Sequence, residues 1–182
     1  MTALEISEIF TIWAINWPNA EMFQGGVDML NMRCKLFAHH FSDIDYWDGL
    51  CGAALSLETR KYAPNIAEFA EDINAAKEKI RQEIDQAYLN ARSAILMAES
   101  FGKDPEQAIE RLPARSKTVI KVMGGYDAFV PPGQNYFNMD GFVRTYNGLL
   151  RKRNLLTGEK FESLPAGRNN ALAGGERKTD DP

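Results

Sequence analysis

The feature that most constrains this fold is one long run of helical periodicity in the middle of the chain. Apolar side chains recur every three or four residues for roughly eight turns, at about 3.6 residues per turn. The residues of this run are Ile66, Phe69, Ile73, Ala76, Ile80, Ile84, Ala87, Ala91 and Ile95. Asn65 stands just before the run, and asparagine is a favoured N-cap. No convincing alternating strand pattern occurs elsewhere, so the sequence predicts an all-α fold.

The middle of this long helix is highly charged. Acidic and basic residues alternate between Glu71 and Asp85 on the faces that the apolar stripe leaves free. Such a pattern is typical of a helix that bridges two packed regions through solvent. We therefore predict an N-terminal helical bundle over 1–73, a connecting helix over 74–100 and a smaller C-terminal helical block over 101–160.

Three helices are predicted before the connector. The first begins at a capping box formed by Thr2 and Glu5, and Pro18 ends it. The second follows Gly25-Gly26, and Ser42-Asp43 supplies the cap of the third. The apolar stripe of the second helix consists of Val27, Leu30, Cys34, Phe37 and Phe41.

The C-terminal block is predicted to consist of shorter helices. Asp104-Pro105 opens one, Ser116 caps the next, and Gly124-Gly125 ends it. A last helix is predicted to end near Gly158. Its apolar stripe consists of Phe142, Tyr146, Leu149 and Leu150. The segment 161–182 is rich in glycine, asparagine and charge, so we predict a flexible, disordered tail.

Composition narrows the classes of partner. The 182 residues carry a formal net charge of −4, which gives no global attraction to nucleic acid or to an anionic membrane. Any DNA contact is therefore expected to be local. No apolar run approaches the roughly 20 residues of a membrane span, and no signal peptide is recognisable. Two cysteines form no disulfide framework, so a cytoplasmic location is predicted.

Motifs for catalysis or cofactor binding are not found. Cys34, His39, His40 and Cys51 match the composition of a zinc site, but they lack closely spaced pairs, and both cysteines lie on apolar stripes. The segment 174–179 lacks the order of a phosphate-binding loop. We predict no metal, no cofactor and no enzymatic activity, which leaves binding of another macromolecule as the function.

The last helix carries the best candidate binding residues. They are Phe142, Arg144, Tyr146, Arg151, Lys152 and Arg153. The cations could contact an acidic protein groove or nucleic acid, although cations near a helix C-terminus are also favoured by the helix dipole. The two rings could dock a partner, and packing against the body of the protein is the alternative.

Two blocks of sequence resemble a known family. The first comprises residues 41–47, the small-residue helix through Ala53 and Ala54, and the segment 61–68, in which Pro64 precedes Ile66-Ala67-Glu68. The second comprises Leu112-Pro113 before a short helix, Gly124-Gly125, and Phe142 spaced from Tyr146. These blocks are similar to the small, ATP-independent helicase loader or inhibitor proteins of phages and prophages of Gram-positive bacteria.

The resemblance implies a partner and a site of action. In that family a compact N-terminal domain is followed by a more flexible part that engages the hexameric replicative helicase and holds it until delivery to the phage origin. The resemblance thus implies an adaptor in the cytoplasm of a bacterial host that loads or restrains the helicase, with an origin-binding replication protein as a second candidate partner. Two alternatives stay open. One is a DNA-binding replication or regulatory protein that uses the basic last helix; the other is a phage assembly chaperone.

Overall fold

The chain folds into helices alone over the residues that the computed structural model describes, which are 1–133 and 136–157, with side chains as far as Arg151. Within them, no helix is long and apolar enough to cross a membrane. The predicted tail over 161–182 lies outside the described residues. The helices are α1 Ala3–Asn16, a short 3-10 helix Glu21–Phe23, α2 Gly26–His40, α3 Tyr46–Thr59, α4 Ile66–Ser100, α5 Pro105–Glu110, α6 Ala114–Met123, α7 Tyr126–Phe129 and α8 Met139–Thr157.

Local caps explain where three of these helices begin, and they confirm the predicted starts. The Thr2 hydroxyl accepts from the Glu5 amide at 3.3 Å, and the Glu5 carboxylate accepts from the Thr2 amide at 2.7 Å. Asn65 forms the same reciprocal pair with Glu68 at the start of α4. The Asp104 carboxylate accepts from the backbone two residues later at the start of α5.

Two predicted caps are wrong. Residues 41–44 form a turn closed by the Ile44 amide and the Phe41 carbonyl at 3.1 Å, so α3 begins later, with Asp45 as its cap. Pro113 takes the N-cap position of α6 without a side-chain hydrogen bond, and Ser116 is instead buried inside that helix.

The first hydrophobic core lies among α1, α2, α3 and the first turns of α4. Aromatic rings dominate it, and Trp13 stands edge-on to Phe69 with centroids 4.8 Å apart. Val27, which the sequence analysis placed on the buried stripe of α2, is exposed because it lies in the first turn, beyond this core. The buried members are Met1, Ile6, Ile9, Phe10, Trp13, Cys34, Phe37, Phe41, Leu50, Ala53, Phe69 and Ile73.

A second core lies between the C-terminal half of α4 and helices α5 to α8. Its centre is again aromatic, with Phe129 and Phe142 fully buried and 5.5 Å apart between centroids. The buried members are Ile84, Tyr88, Ala91, Ile95, Ile109, Leu112, Val119, Ile120, Phe129, Phe142, Tyr146 and Leu150. Helix α4 therefore contributes to both cores, and the predicted boundary at residue 73 falls inside it.

The sequence predicts that the charged middle of α4 is surrounded by solvent. This prediction is wrong for one side of the helix, which packs against α3. Its apolar edge at Ala76 is fully buried and packs against Cys51 and Leu55 of α3. Two ion pairs flank this contact, Lys77 with Asp48 at 3.3 Å and Lys79 with Glu58 at 3.4 Å. The alternating charges thus lie on the remaining faces of a helix that α3 covers on one side.

Candidate protein-binding groove

An open apolar groove of about 1050 Å³ lies on the N-terminal half of the molecule. One wall is the connection between α1 and α2, the other is the connection between α3 and α4, and α2 forms the floor. The lining residues are Asn16, Trp17, Pro18, Asn19, Ala20, Glu21, Met22, Arg33, Leu36, Phe37, Lys61, Tyr62, Ala63, Pro64, Asn65, Ile66 and Ala67. We refer to this surface as the N-terminal groove.

Arg33 of α2 holds the connection between α1 and α2, the first wall of the groove, in place. Its Nη1 atom donates to three backbone carbonyls of the connection, those of Glu21 at 3.1 Å, Met22 at 2.6 Å and Gln24 at 2.7 Å. Charged donors form stronger hydrogen bonds than neutral ones. The wall is therefore held to α2 by a side chain rather than by regular secondary structure.

The second wall combines a buried anchor with an exposed ring. Pro64 is fully buried, and Asn65 begins α4 directly after it, which fixes the path of the chain. Tyr62 is 71% exposed, and the Lys61 ammonium lies 5.4 Å from the centre of its ring. This wall thus presents an aromatic surface and a positive charge to the groove.

An exposed apolar stripe extends from the groove along α2. Met29, Met32 and Leu36 follow one another by three and then four residues, on the side of the helix opposite Cys34. Met32 is 64% exposed and Leu36 is 50% exposed. Contiguous exposed apolar surface marks interaction sites, and methionines adapt well to partners of different shape.

The charges around the groove and stripe are mainly positive. Glu21 is the one carboxylate among the lining residues, whereas Arg33 and Lys61 are cations. Beyond the groove, α2 carries the exposed Lys35 and also the exposed Asp28, so three cations stand beside two carboxylates. This region therefore differs in sign from the whole chain, whose net charge is −4.

The structure buries both aromatic residues that the sequence analysis assigned to partner binding. Phe142 is 0% exposed and Tyr146 is 2% exposed, both within the second core. The Tyr146 hydroxyl donates to Glu83 Oε1 at 2.7 Å, and burial together with this hydrogen bond raises the pKa of Tyr146 to about 12. We correct their assignment to packing residues, because neither ring can reach a partner in this fold.

The structure describes the side chains of two of the four basic residues that the sequence analysis assigned to partner binding, Arg144 and Arg151. Arg144 is exposed, but Arg151 pairs with Asp45 at the start of α3, with 3.6 Å between Nη1 and Oδ2. Contacts of Arg144 with a partner stay a prediction. The side chains of Lys152 and Arg153 lie outside those that the structure describes.

The cysteines lie apart from each other. Cys34 belongs to the first core, and Cys51 packs between α3 and α4. Burial raises the pKa of both thiols, that of Cys51 to about 12, so they stay protonated and poorly nucleophilic at neutral pH. Among the described residues, no three histidine, cysteine or carboxylate side chains converge as metal ligands.

The groove was not predicted, although the sequence contains a signal for it. Helix α2 has a second apolar series on the face opposite its core stripe, and a one-sided amphipathic helix would carry polar residues there. The segment 61–68 entered the prediction only through the family resemblance and through Asn65 as a helix cap. Because the two walls come together only after folding, spacing along the chain could not show that they enclose one surface.

Comparisons with known proteins add no assignment: no family model, no curated protein and no solved structure matches this chain. The function must therefore be argued from the chemistry of the groove. Its lining is mostly apolar and contains no nucleophile paired with a base. Such a surface can bury the side chains of a partner.

Proposed function

We propose that this protein is a non-enzymatic adaptor that binds another protein through the N-terminal groove. The observation that carries the proposal is the continuous apolar surface formed by the groove and the stripe Met29, Met32 and Leu36. Burial of such side chains against a partner contributes roughly 25 cal/mol per Å² of apolar area. A folded chain that keeps this area in contact with water gains stability when a partner covers it.

We further propose that the partner is the hexameric replicative helicase, which the adaptor helps to load at a phage origin or restrains before delivery. This identity depends on the resemblance described above, which places the helicase contact in the part after the N-terminal domain; we place it in the N-terminal groove because Phe142 and Tyr146 of the C-terminal block are buried. Support comes from the position of the segment 61–68, one of the stretches that carry that resemblance, since residues 61–67 form a wall of the groove. One of the stretches that suggest the family thus lies on the surface that suggests binding, whereas the others lie outside the groove.

The direct test is complex formation between the full chain and a purified hexameric helicase from a Gram-positive host. We expect the two to co-elute in size-exclusion chromatography. Leu36→Glu places a charge in the centre of the apolar surface and should weaken binding at least about tenfold, since about 1.4 kcal/mol of binding free energy suffices for that. Because Leu36 is half exposed, this change leaves the core intact.

Leu89→Glu is the matched control. Leu89 is a leucine of nearly equal exposure, 49%, on the outward face of α4 and outside the groove. This variant should bind helicase as the parent chain does. The proposal is contradicted if the parent chain and helicase elute separately, or if Leu36→Glu binds with unchanged affinity.

A second exposed apolar face favours the assembly-chaperone alternative. The outward side of the last turns of α4 carries Leu89, Leu96, Met97 and Phe101, all of them exposed. A long helix with such a face could pack against a helix of a structural protein. Loss of partner binding in Leu89→Glu but not in Leu36→Glu would support this function over the first.

A further inference from the structure

We propose that the N-terminal groove and its stripe recognise an amphipathic helix whose apolar face is flanked by carboxylates. This inference rests on the proposed function of the groove as a protein-binding surface and specifies the chemistry of the segment that enters it. Two observations carry it: the helical spacing of the apolar residues and the sign of the charges beside them.

The spacing favours a helix over an extended strand. From Met29 to Leu36 the stripe rises about 10 Å along α2, at about 1.5 Å per residue, and it leads into the groove beside Leu36. A straight apolar ridge of this kind matches a partner helix that places side chains at every third or fourth position. A peptide that binds by adding a strand would instead need an open sheet edge, and the described residues contain no strand.

The charged residues beside the groove indicate which sign of charge the partner helix should carry. Arg33 and Lys61 line the groove and Lys35 is exposed one residue before Leu36, whereas the carboxylates are Glu21 in the lining and the exposed Asp28 one turn before Met32, so cations are in excess by one. Carboxylates beside the apolar face of the partner helix would meet these cations. Opposite charges on the two surfaces raise the association rate, and like charges weaken the binding of unsuitable partners.

The same charges disfavour a second copy of this chain as the occupant. A symmetric dimer would bring together two copies of a surface in which cations outnumber carboxylates. Nucleic acid is also a poorer fit, since the centre of the surface is apolar and phosphates would leave Met32 and Leu36 in water.

Two labelled synthetic peptides test the proposal by fluorescence anisotropy with the full chain. Both are helical and about 18 residues long, with leucines spaced by three and four, and they differ only in carrying glutamates or lysines at the flanking positions. We expect the glutamate peptide to bind at least about tenfold more tightly, and its affinity to fall as salt rises from about 0.05 to 0.5 M.

Lys61→Glu should reduce the preference for the glutamate peptide severalfold. Its matched control is Lys103→Glu, because Lys103 also lies over an aromatic ring, that of Phe101, but at the far end of α4. Lys103→Glu should keep the full preference. Leu36→Glu should abolish binding of either peptide.

Several outcomes would overturn this inference. They are equal affinity for the two peptides, binding of neither, tighter binding of a labelled DNA oligonucleotide, and a dimer of the chain that Leu36→Glu dissociates. The proposed adaptor function is judged separately by helicase co-elution. Equal peptide affinities together with co-elution lost in Leu36→Glu would reject the acidic helix and keep the adaptor.

Discussion

Replacing Arg60 with leucine should lower the free energy of unfolding by about 3 kcal/mol, because it leaves a buried carboxylate without its cation. Arg60 Nε donates to Asp72 Oδ2 at 2.6 Å and Nη2 donates to Oδ1 at 3.0 Å, and Asp72 is only 6% exposed. These hydrogen bonds raise the pKa of Arg60. Ser56 also donates to Asp72, at 2.6 Å, but a neutral hydroxyl cannot balance the charge. Urea unfolding followed by circular dichroism measures the loss.

A surface ion pair between the same two helices provides the control. Lys79 lies 3.4 Å from Glu58, and both side chains are partly open to water, so Lys79→Ala should cost less than about 1 kcal/mol. Adding Asp72→Asn to the Arg60 variant removes the stranded charge and should restore part of the stability. If Arg60→Leu costs no more than Lys79→Ala, the buried pair does not hold α3 to α4 as we describe.

Gly52→Ala should destabilise the protein by about 1 to 3 kcal/mol, although alanine favours helices by about 1 kcal/mol relative to glycine. A Cβ atom at position 52 would lie 2.5 Å from Ile73 Cγ1 and 2.9 Å from Ile73 Cα. The second contact is with backbone, so α3 and α4 would have to move apart. Chemical denaturation again provides the measurement.

Gly148→Ala is the matched control for this substitution. Gly148 also lies inside a helix, α8, but nothing lies within 4 Å of the position of its Cβ. Alanine should therefore stabilise the protein there by about 0.5 to 1 kcal/mol. Destabilisation at both glycines, or at neither, would contradict the close approach of α3 and α4 at Gly52.

The sequence predicted where the helices begin better than it predicted which helices pack against each other. Caps such as Thr2 and Asn65 act on amides within three residues, so their effect is visible in a short window of sequence. Helix α3 covers Ala76 through contacts between residues that are distant along the chain. A pattern of charges on α4 could not reveal that one of its faces is covered.

The same limit explains the outcome for the candidate binding residues. Phe142 and Tyr146 lie one turn apart on α8, and this spacing suits a docking pair and a core pair equally well. Only the positions of Phe129 and Tyr88 decide in favour of the core. The groove was invisible for the converse reason, because its two walls are about 40 residues apart in sequence and meet through folding.

The central claim is that the N-terminal groove is the surface by which this protein binds a partner. Hydrogen exchange of the full chain, alone and with the hexameric helicase, tests it most directly, since a bound partner slows exchange where it covers backbone. We predict slower exchange within residues 16–22, 33–37 and 61–67. Protection confined to α8, or no change in these three segments, would contradict the account.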